Sequence, residues 1–492
     1  MHFKERQNRE QMMMVSYETM VSQDNPVRLI DLLCRKFIAD NPWREEWKGK
    51  KQRGRKSYPP SLMLCLLVYG YFNGISSSRK LERETYRNIE MLWLMEGLQP
   101  DHWTICEFRR DNQQLIKDLL KNFRRFLLDE EFATGKKLVF DGSKIKAYAS
   151  REMLNSEGVR KKLENLDKSI AEYLSQLESN DSHDDELETA RDEIEQLKTK
   201  IGELEAQRAK LEAAGKALES SKKKQIAPND KDAVLVKGRD GKFAGYNVQT
   251  GVEGKGHFIM HDEVTTAPND QQQLENCIEK TIEEIEIVPD EVLADKGYGN
   301  TSQILNIEDK GIKCYIPMPE TKREKEEKKG IVFQYDKLND IYICPQKKEL
   351  KLYAKNVKHS GATYNTYKCY ECDDCPIREK CTKSKTGRTL KRNIKQEEIE
   401  QYKKELTTDY SKKRIAERKG IVEHPFGTIK WLMGKFNFLL TGKEKTQIEF
   451  DLYTMSYNLK RLVNCGTTME LMGKITKYNW AMTSKWPLTL II

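Results

Sequence analysis

No stretch of this sequence is apolar for long enough to cross a bilayer: the longest, Ser61 to Phe72, falls short of the roughly 20 residues a spanning helix needs. The opening MHFKERQNRE carries charge where a signal peptide has its apolar core, so export is not expected. Cysteines are not spread as a secreted disulfide framework would spread them. Five of the eleven crowd between Cys344 and Cys381, as in a local metal site in a reducing compartment. Extreme charge of one sign is absent too: a formal net charge of +9 over 492 residues permits a polyanionic partner without requiring one. What remains is one third charged and 38% hydrophobic, expected to be a soluble, cytoplasmic, multi-domain protein with no membrane partner.

Charge is concentrated locally. KGKKQRGRK, from Lys48 to Lys56, puts Lys50, Lys51, Arg53 and Arg55 directly before Pro59-Pro60, where a helix can begin. Such a run suits phosphate, or equally a solvated loop. From Pro60 to about Glu130 the pattern is helical. Leu62, Leu64, Leu66 and Leu67 share one apolar segment, Gly74 is a stop, and serines 76 to 78 can cap the next helix. Thr104 and Glu107 have capping-box spacing ahead of an amphipathic run through Leu115, Leu119, Leu120, Phe123, Phe126 and Leu127. Residues 1–130 are expected to form a helical, DNA-binding domain.

At Lys137 the period changes to that of a strand, KLVFDGSKIKA, with Asp141 opposite Leu138 and Phe140. An aspartate works against strand propensity, which argues for a job or a partner. Residues 151–224 then carry a heptad-like seam through Leu163, Leu166, Ile170, Tyr173 and Leu177, resumed by Leu187, Ala190, Ile194, Leu197, Ile201, Leu204 and Leu211. The turn-forming stretch Ser179 to Asp185 between the runs favours an antiparallel hairpin; a dimerising coiled coil is the competing arrangement. Strands return at Gly245 to Thr250, His257 to His261 and Glu291 to Asp295, with a helix over Gln271 to Glu286. The order is mixed α/β.

DGSKIKAYAS at 141–150, GYNVQT at 245–250, ADKGYGN at 294–300 and VEHPFGTIK at 422–430 together resemble the DDE transposases of bacterial insertion sequences. Thr104, Phe108-Arg109-Arg110 and the closing Tyr457-Asn458-Leu459-Lys460-Arg461 match as well, so the resemblance covers nearly the whole chain. It implies a ribonuclease H-like catalytic domain over residues 131–464, interrupted by the hairpin and by a Cys-rich insert at 330–395, with a tail at 465–492.

By resemblance, Asp141, Asp295 and Glu423 are the catalytic carboxylates, holding two Mg²⁺ or Mn²⁺ ions, and Lys430 is a lysine near the DNA. Hard divalent ions take oxygen ligands, which carboxylates supply. The implied activity is phosphodiester cleavage and strand transfer at element ends, on double-stranded DNA and by a homo-oligomer. A domesticated, inactive DNA-binding relative and a hydrolysis-only nuclease share these residues. The family's tyrosine and arginine positions hold Ala416 and Lys419 here, and Arg418 is taken as a phosphate contact instead, with Arg109 and Arg110 as further DNA contacts.

The cysteines read Cys-x2-Cys-x2-Cys-x5-Cys from Cys369, after Cys344: five thiols where a closed zinc site needs four. The family pattern selects Cys344, Cys372, Cys375 and Cys381 for zinc and leaves Cys369 pointing away; an unmetallated thiol cluster is the alternative. Lys383, Lys385, Arg388, Lys391 and Arg392 follow and are expected against DNA backbone.

Overall fold

Proline opens two of the first helices. Pro26 and Pro60 stand in the first turn, where a missing N–H costs no hydrogen bond, and start the helices Pro26–Asp40 and Pro60–Phe72. The second ends at Gly74, whose φ of 72° suits glycine. The structure is a computed structural model that describes residues 14, 16–41, 57–148, 153–181, 188–221, 223–238, 241–359 and 362–481. Lys50, Lys51, Arg53 and Arg55 lie outside the described residues.

The capping box read at Thr104 and Glu107 does not form. Asp101 accepts from the Thr104 N–H at 2.7 Å and starts the helix His102–Asp111, and a separate helix, Gln113–Asp129, carries the amphipathic run. A carboxylate three residues earlier supplies the acceptor that the threonine was expected to provide.

The catalytic-type sheet has six strands: β1 (Lys137–Lys146), β2 (Val234–Gly238), β3 (Gly241–Glu253), β4 (Ile259–Thr265), β5 (Glu291–Ala294) and β6 (Lys313–Tyr315). Their order is β2-β3-β1-β5-β6, with β4 also on β3. β1 runs antiparallel to β3 and parallel to β5, and the helices Leu274–Ile285 and Thr301–Asp309 occupy the connections to β5 and β6. This is the ribonuclease H-like mixed sheet that the resemblance implied. β3 reaches both ways beyond the short strand read from sequence, and β2 was not read at all.

Two helices, Ser156–Asp181 and Glu188–Ser220, interrupt the sheet and pack antiparallel. Arg208 pairs with Asp167 at 2.6 Å, Lys200 stands 5.7 Å from the Tyr173 ring, and Leu154, Val159 and Leu211 form a small core. The partner of the seam is therefore within the chain. The hairpin's two ends meet, because Leu154 and Ile226 exchange backbone hydrogen bonds of 2.8 Å.

The Cys-rich insert is a second sheet, a property its cysteine spacing did not announce. It comprises β7 (Gln334–Asp336), β8 (Ile341–Ile343), β9 (Glu349–His359), β10 (Ala362–Lys368) and β11 (Thr389–Asn393), in the order β11-β10-β9-β8-β7. Phe333, Tyr342, Leu350 and Tyr367 give it a core of its own.

One apolar core joins the N-terminal helices to the catalytic sheet, through Leu33, Leu66, Phe123, Phe140, Val292 and Leu459. At its centre the helix Lys443–Val463 is buried on most of its circumference. Its closing motif has a visible purpose: Asn458 accepts from the Ile259 N–H (2.8 Å) and donates to Ile259 O (3.0 Å), Tyr457 Oη donates to His257 O, and Arg461 to Gly256 O. Those bonds satisfy the backbone entering edge strand β4. Beyond residue 465 the chain is not a bare tail, since the helix Thr468–Lys477 packs on Pro26–Asp40 and Trp480 is fully buried. Among the described residues no helix is long and apolar enough to cross a membrane.

Candidate active site

Asp141 and Asp295 are brought together by register. Phe140 on β1 is paired with Ala294 on β5, so the next residue of each parallel strand is an aspartate at the same sheet level. Asp141 is 26% exposed, and its carboxyl is pushed up to about 6: burial is the main cause, with Asp295 and Asp270 adding negative charge and Arg418 opposing. Asp295 Oδ1 accepts from the Gly297 N–H at 2.7 Å, which fixes the turn after β5.

The helix Asp409–Met433 packs across β1, β5 and β6. Two ion pairs hold it there: Arg414 on Glu291 (3.1 Å) and Lys137 on Glu417 (3.3 Å). Arg418 therefore faces the strand ends, with Nη1 3.4 Å from Asp141 Oδ1. The residue assigned to phosphate thus rests on a carboxylate instead. Glu423 lies five residues further on, about 7.5 Å along the helix axis at 1.5 Å per residue. Its carboxylate is exposed and is not among the charges that act most on Asp141. Lys430, also exposed, lies on the same helical face as Glu423 with Nζ 4.8 Å from the Phe436 ring. His424 is exposed, with Nδ1 3.4 Å from Tyr457 Oη.

Beneath the aspartates is a polar layer that the sequence reading missed. Asp270 accepts from Lys144 (3.0 Å), Asn247 (2.7 Å) and Gln249 (2.7 Å), and the buried Tyr298 hydroxyl donates to Gln249 Oε1. The GYNVQT and GYGN motifs therefore serve one network, which braces β1 against β3 and the turn after Asp295. Nothing in the Asn269-Asp270 turn signalled this; the alternation of Asn247 and Gln249 along a strand was the available clue.

Of the remaining assigned positions, Arg109 is buried and donates to Tyr71 Oη (2.9 Å) and Ser76 O (3.0 Å), so its guanidinium is spent inside the helical region. Arg110 is exposed and paired with Asp111 and Glu107. In the insert, Arg388 is buried on Glu326 and Cys381 O, and Arg392 lies 3.9 Å from the Tyr335 ring; both hold the second sheet together rather than face outward. The thiols are neighbours, but not in the arrangement expected. Cys369 is not set apart: it is buried in the insert's core with Cys372, whose Sγ donates to Cys369 O at 3.8 Å, and Cys344 and Cys381 pack against the same core. Among the described residues, the group of three donor atoms within 4.8 Å of one another is His261, Glu263 and Cys277; neither the insert cysteines Cys344, Cys372, Cys375 and Cys381 nor the three catalytic-type carboxylates are drawn that close.

A family model described as "Transposase DDE domain" matches residues 343–463, which hold the cysteine insert, Arg418, Glu423 and Lys430. A second, described as "Transposase domain (DUF772)", matches residues 15–111, the N-terminal helices. No curated protein matches the chain.

Proposed function

We propose that this chain, two segments of which match transposase family models, cleaves phosphodiesters at the ends of an insertion sequence and joins them to target DNA. The observation that carries this reading is the pairing of Asp141 and Asp295 at adjacent parallel strand ends, with burial and mutual charge raising the Asp141 carboxyl to about 6. Two crowded carboxylates under a single arginine are an all-oxygen donor set that fits a hard divalent ion, as the family generally uses. Asp141 and Asp295 would hold Mg²⁺ or Mn²⁺, with Glu423 approaching from its helix. Bound there, the ions would supply charge neutralisation at the attacking and leaving oxygens.

The chain's own groups set the geometry. The Asp270 network fixes the strand from which Asp141 projects, and the Gly297 N–H orients Asp295. Arg418 neutralises Asp141 in the resting chain and, released from it, would contact a phosphate within the same site. Lys430, on the Glu423 face of the helix, would lie along the DNA backbone, as would Arg110, and the basic run at Lys50, Lys51, Arg53 and Arg55 would add sequence-independent affinity. The insert's zinc, at Cys372, Cys375 and Cys381 with either Cys344 or Cys369, would be structural.

The test is a cleavage and strand-transfer assay on duplexes carrying the element ends, with Mg²⁺ or Mn²⁺. Alanine at Asp141, Asp295 or Glu423 should lower cleavage by at least about a hundredfold, the loss of an essential charge in a phosphoryl-transfer site, with DNA binding retained. Full activity of the Glu423 variant would remove that residue from the set. Cleavage without joining would identify a hydrolytic nuclease.

A further inference from the structure

We propose that His261, Glu263 and Cys277 form a site for a zinc-class cation that clamps edge strand β4 to the helix Leu274–Ile285, separate from the catalytic carboxylates and from the cysteine insert. The three residues offer one nitrogen, one oxygen and one sulfur, all within 4.8 Å of one another. Strand alternation puts His261 and Glu263 on the same face of β4, and the first turn of the helix delivers Cys277 to that face.

His261 is the independent sign of a ligand. It is 2% exposed, and neither ring nitrogen has a hydrogen-bond partner among the described residues. A buried polar group is ordinarily satisfied, and an imidazole with both nitrogens idle is a costly occupant of an apolar layer. Its contact with the Phe140 ring, 6.0 Å between centroids, gives it packing but no acceptor or donor. A cation would use one of those nitrogens directly.

The site also has an entry path. His261 and Glu263 line a cleft of about 890 Å³ bounded by the helices Gln113–Asp129, Leu274–Ile285 and Lys443–Val463. Its walls carry charge of both signs, and Asp262 and Glu284 are already paired with the buried Arg124, so the ligands themselves must hold the ion. Lys280 now supplies positive charge to Glu263, Nζ to Oε1 at 2.7 Å, and being 44% exposed it can swing into the cleft when an ion takes its place. Imidazole and thiolate select Zn²⁺ over Mg²⁺, because a hard ion prefers oxygen alone. Three protein ligands leave a fourth tetrahedral position for water from the cleft. On binding, the Cys277 S–H proton passes to solvent as the Zn–S bond forms.

The experiment uses the full chain carrying Cys372→Ser and Cys375→Ser, which removes thiols from the insert. Zinc per chain is measured by mass spectrometry after equilibration in a zinc buffer, with circular dichroism to confirm the fold. One zinc is expected in this background, lost when Cys277→Ser is added and weakened at least about a hundredfold by Glu263→Gln, a ligand change larger than the usual outer-shell effect. In the unsubstituted protein, Co²⁺ should give a thiolate charge-transfer band that Cys277→Ser reduces. A folded background protein that binds no zinc, or zinc content unchanged by both Cys277→Ser and Glu263→Gln, overturns the proposal. DNA cleavage enters none of these readings, so they stand apart from the outcome at Asp141 and Asp295.

Discussion

Glu449 illustrates how a buried residue can carry a pH signature without touching the reaction. It is fully buried and accepts from the Leu439 and Leu440 N–H groups, and burial nonetheless pushes its carboxyl up to about 7 from an ordinary 4.5, the two N–H bonds and Arg109 only partly offsetting it. A folded-state value above the unfolded one means that the folded chain binds the extra proton between them. Stability from this residue is therefore full below about pH 4.5, falls as pH rises through 7, and is lost above. The span amounts to something on the order of 3 kcal/mol. Glu449→Gln should be more stable than the parent at pH 8 and lose that advantage toward pH 4, in urea unfolding at a series of pH values. A difference independent of pH would show that the carboxyl ionises normally. Arg124 behaves in the opposite way: it is buried between Asp262 and Glu284, and Arg124→Ala should cost about 3–5 kcal/mol by stranding Asp262, measured in the same experiment.

At the scale of elements, the helical hairpin is an insertion whose ends are already joined. Leu154 and Ile226 are bonded to each other across its base, so removing 156–220 leaves only a short gap to close. Loop closure depends weakly on length, and a few glycines and serines should bridge it. Such a deletion is expected to keep the far-UV signature of the sheet and a cooperative melt, while impairing assembly on DNA in a gel-shift assay. Loss of the cooperative melt would mean that the sheet depends on the hairpin. The insert differs, because it has a core of its own, in which Cys369 and Cys372 are buried beside Phe333, Tyr342 and Tyr367. Its cysteines add to a sheet that the cysteine spacing did not disclose.

Across the whole molecule, the last of the described residues pack against the N-terminal helical region. Trp480 stacks on Phe126 at 5.3 Å between centroids and donates Nε1 to Ile475 O, closing the N-terminal helices over a segment expected to be a tail. Trp480→Ala should cost about 3–5 kcal/mol, the range for a large aromatic lost from a core. Because that core also contains β1 and the helix Lys443–Val463, the loss should shift one common transition seen by both near-UV and far-UV probes. Two separated transitions would instead mark the helical and catalytic parts as independent folding units.

The sequence by itself determined what is local. Proline placed the helix at Pro60, alternation exposed β1 with its unfavoured aspartate, heptads drew the hairpin, and four motifs in order pointed to a likeness to transposases. These signals are periods and short spacings, and short-range physics produces them. Pairing of distant segments belongs to the tertiary structure. Only the β1–β5 register sets Asp141 beside Asp295, only the packed helix turns Arg418 onto Asp141, and only burial decides that Arg109 serves the interior. A charged residue reads the same in sequence whether it meets solvent, DNA or another side chain. Which of these it meets depends on desolvation and on neighbours brought from far along the chain, and His261, Glu263 and Cys277 became a group for the same reason.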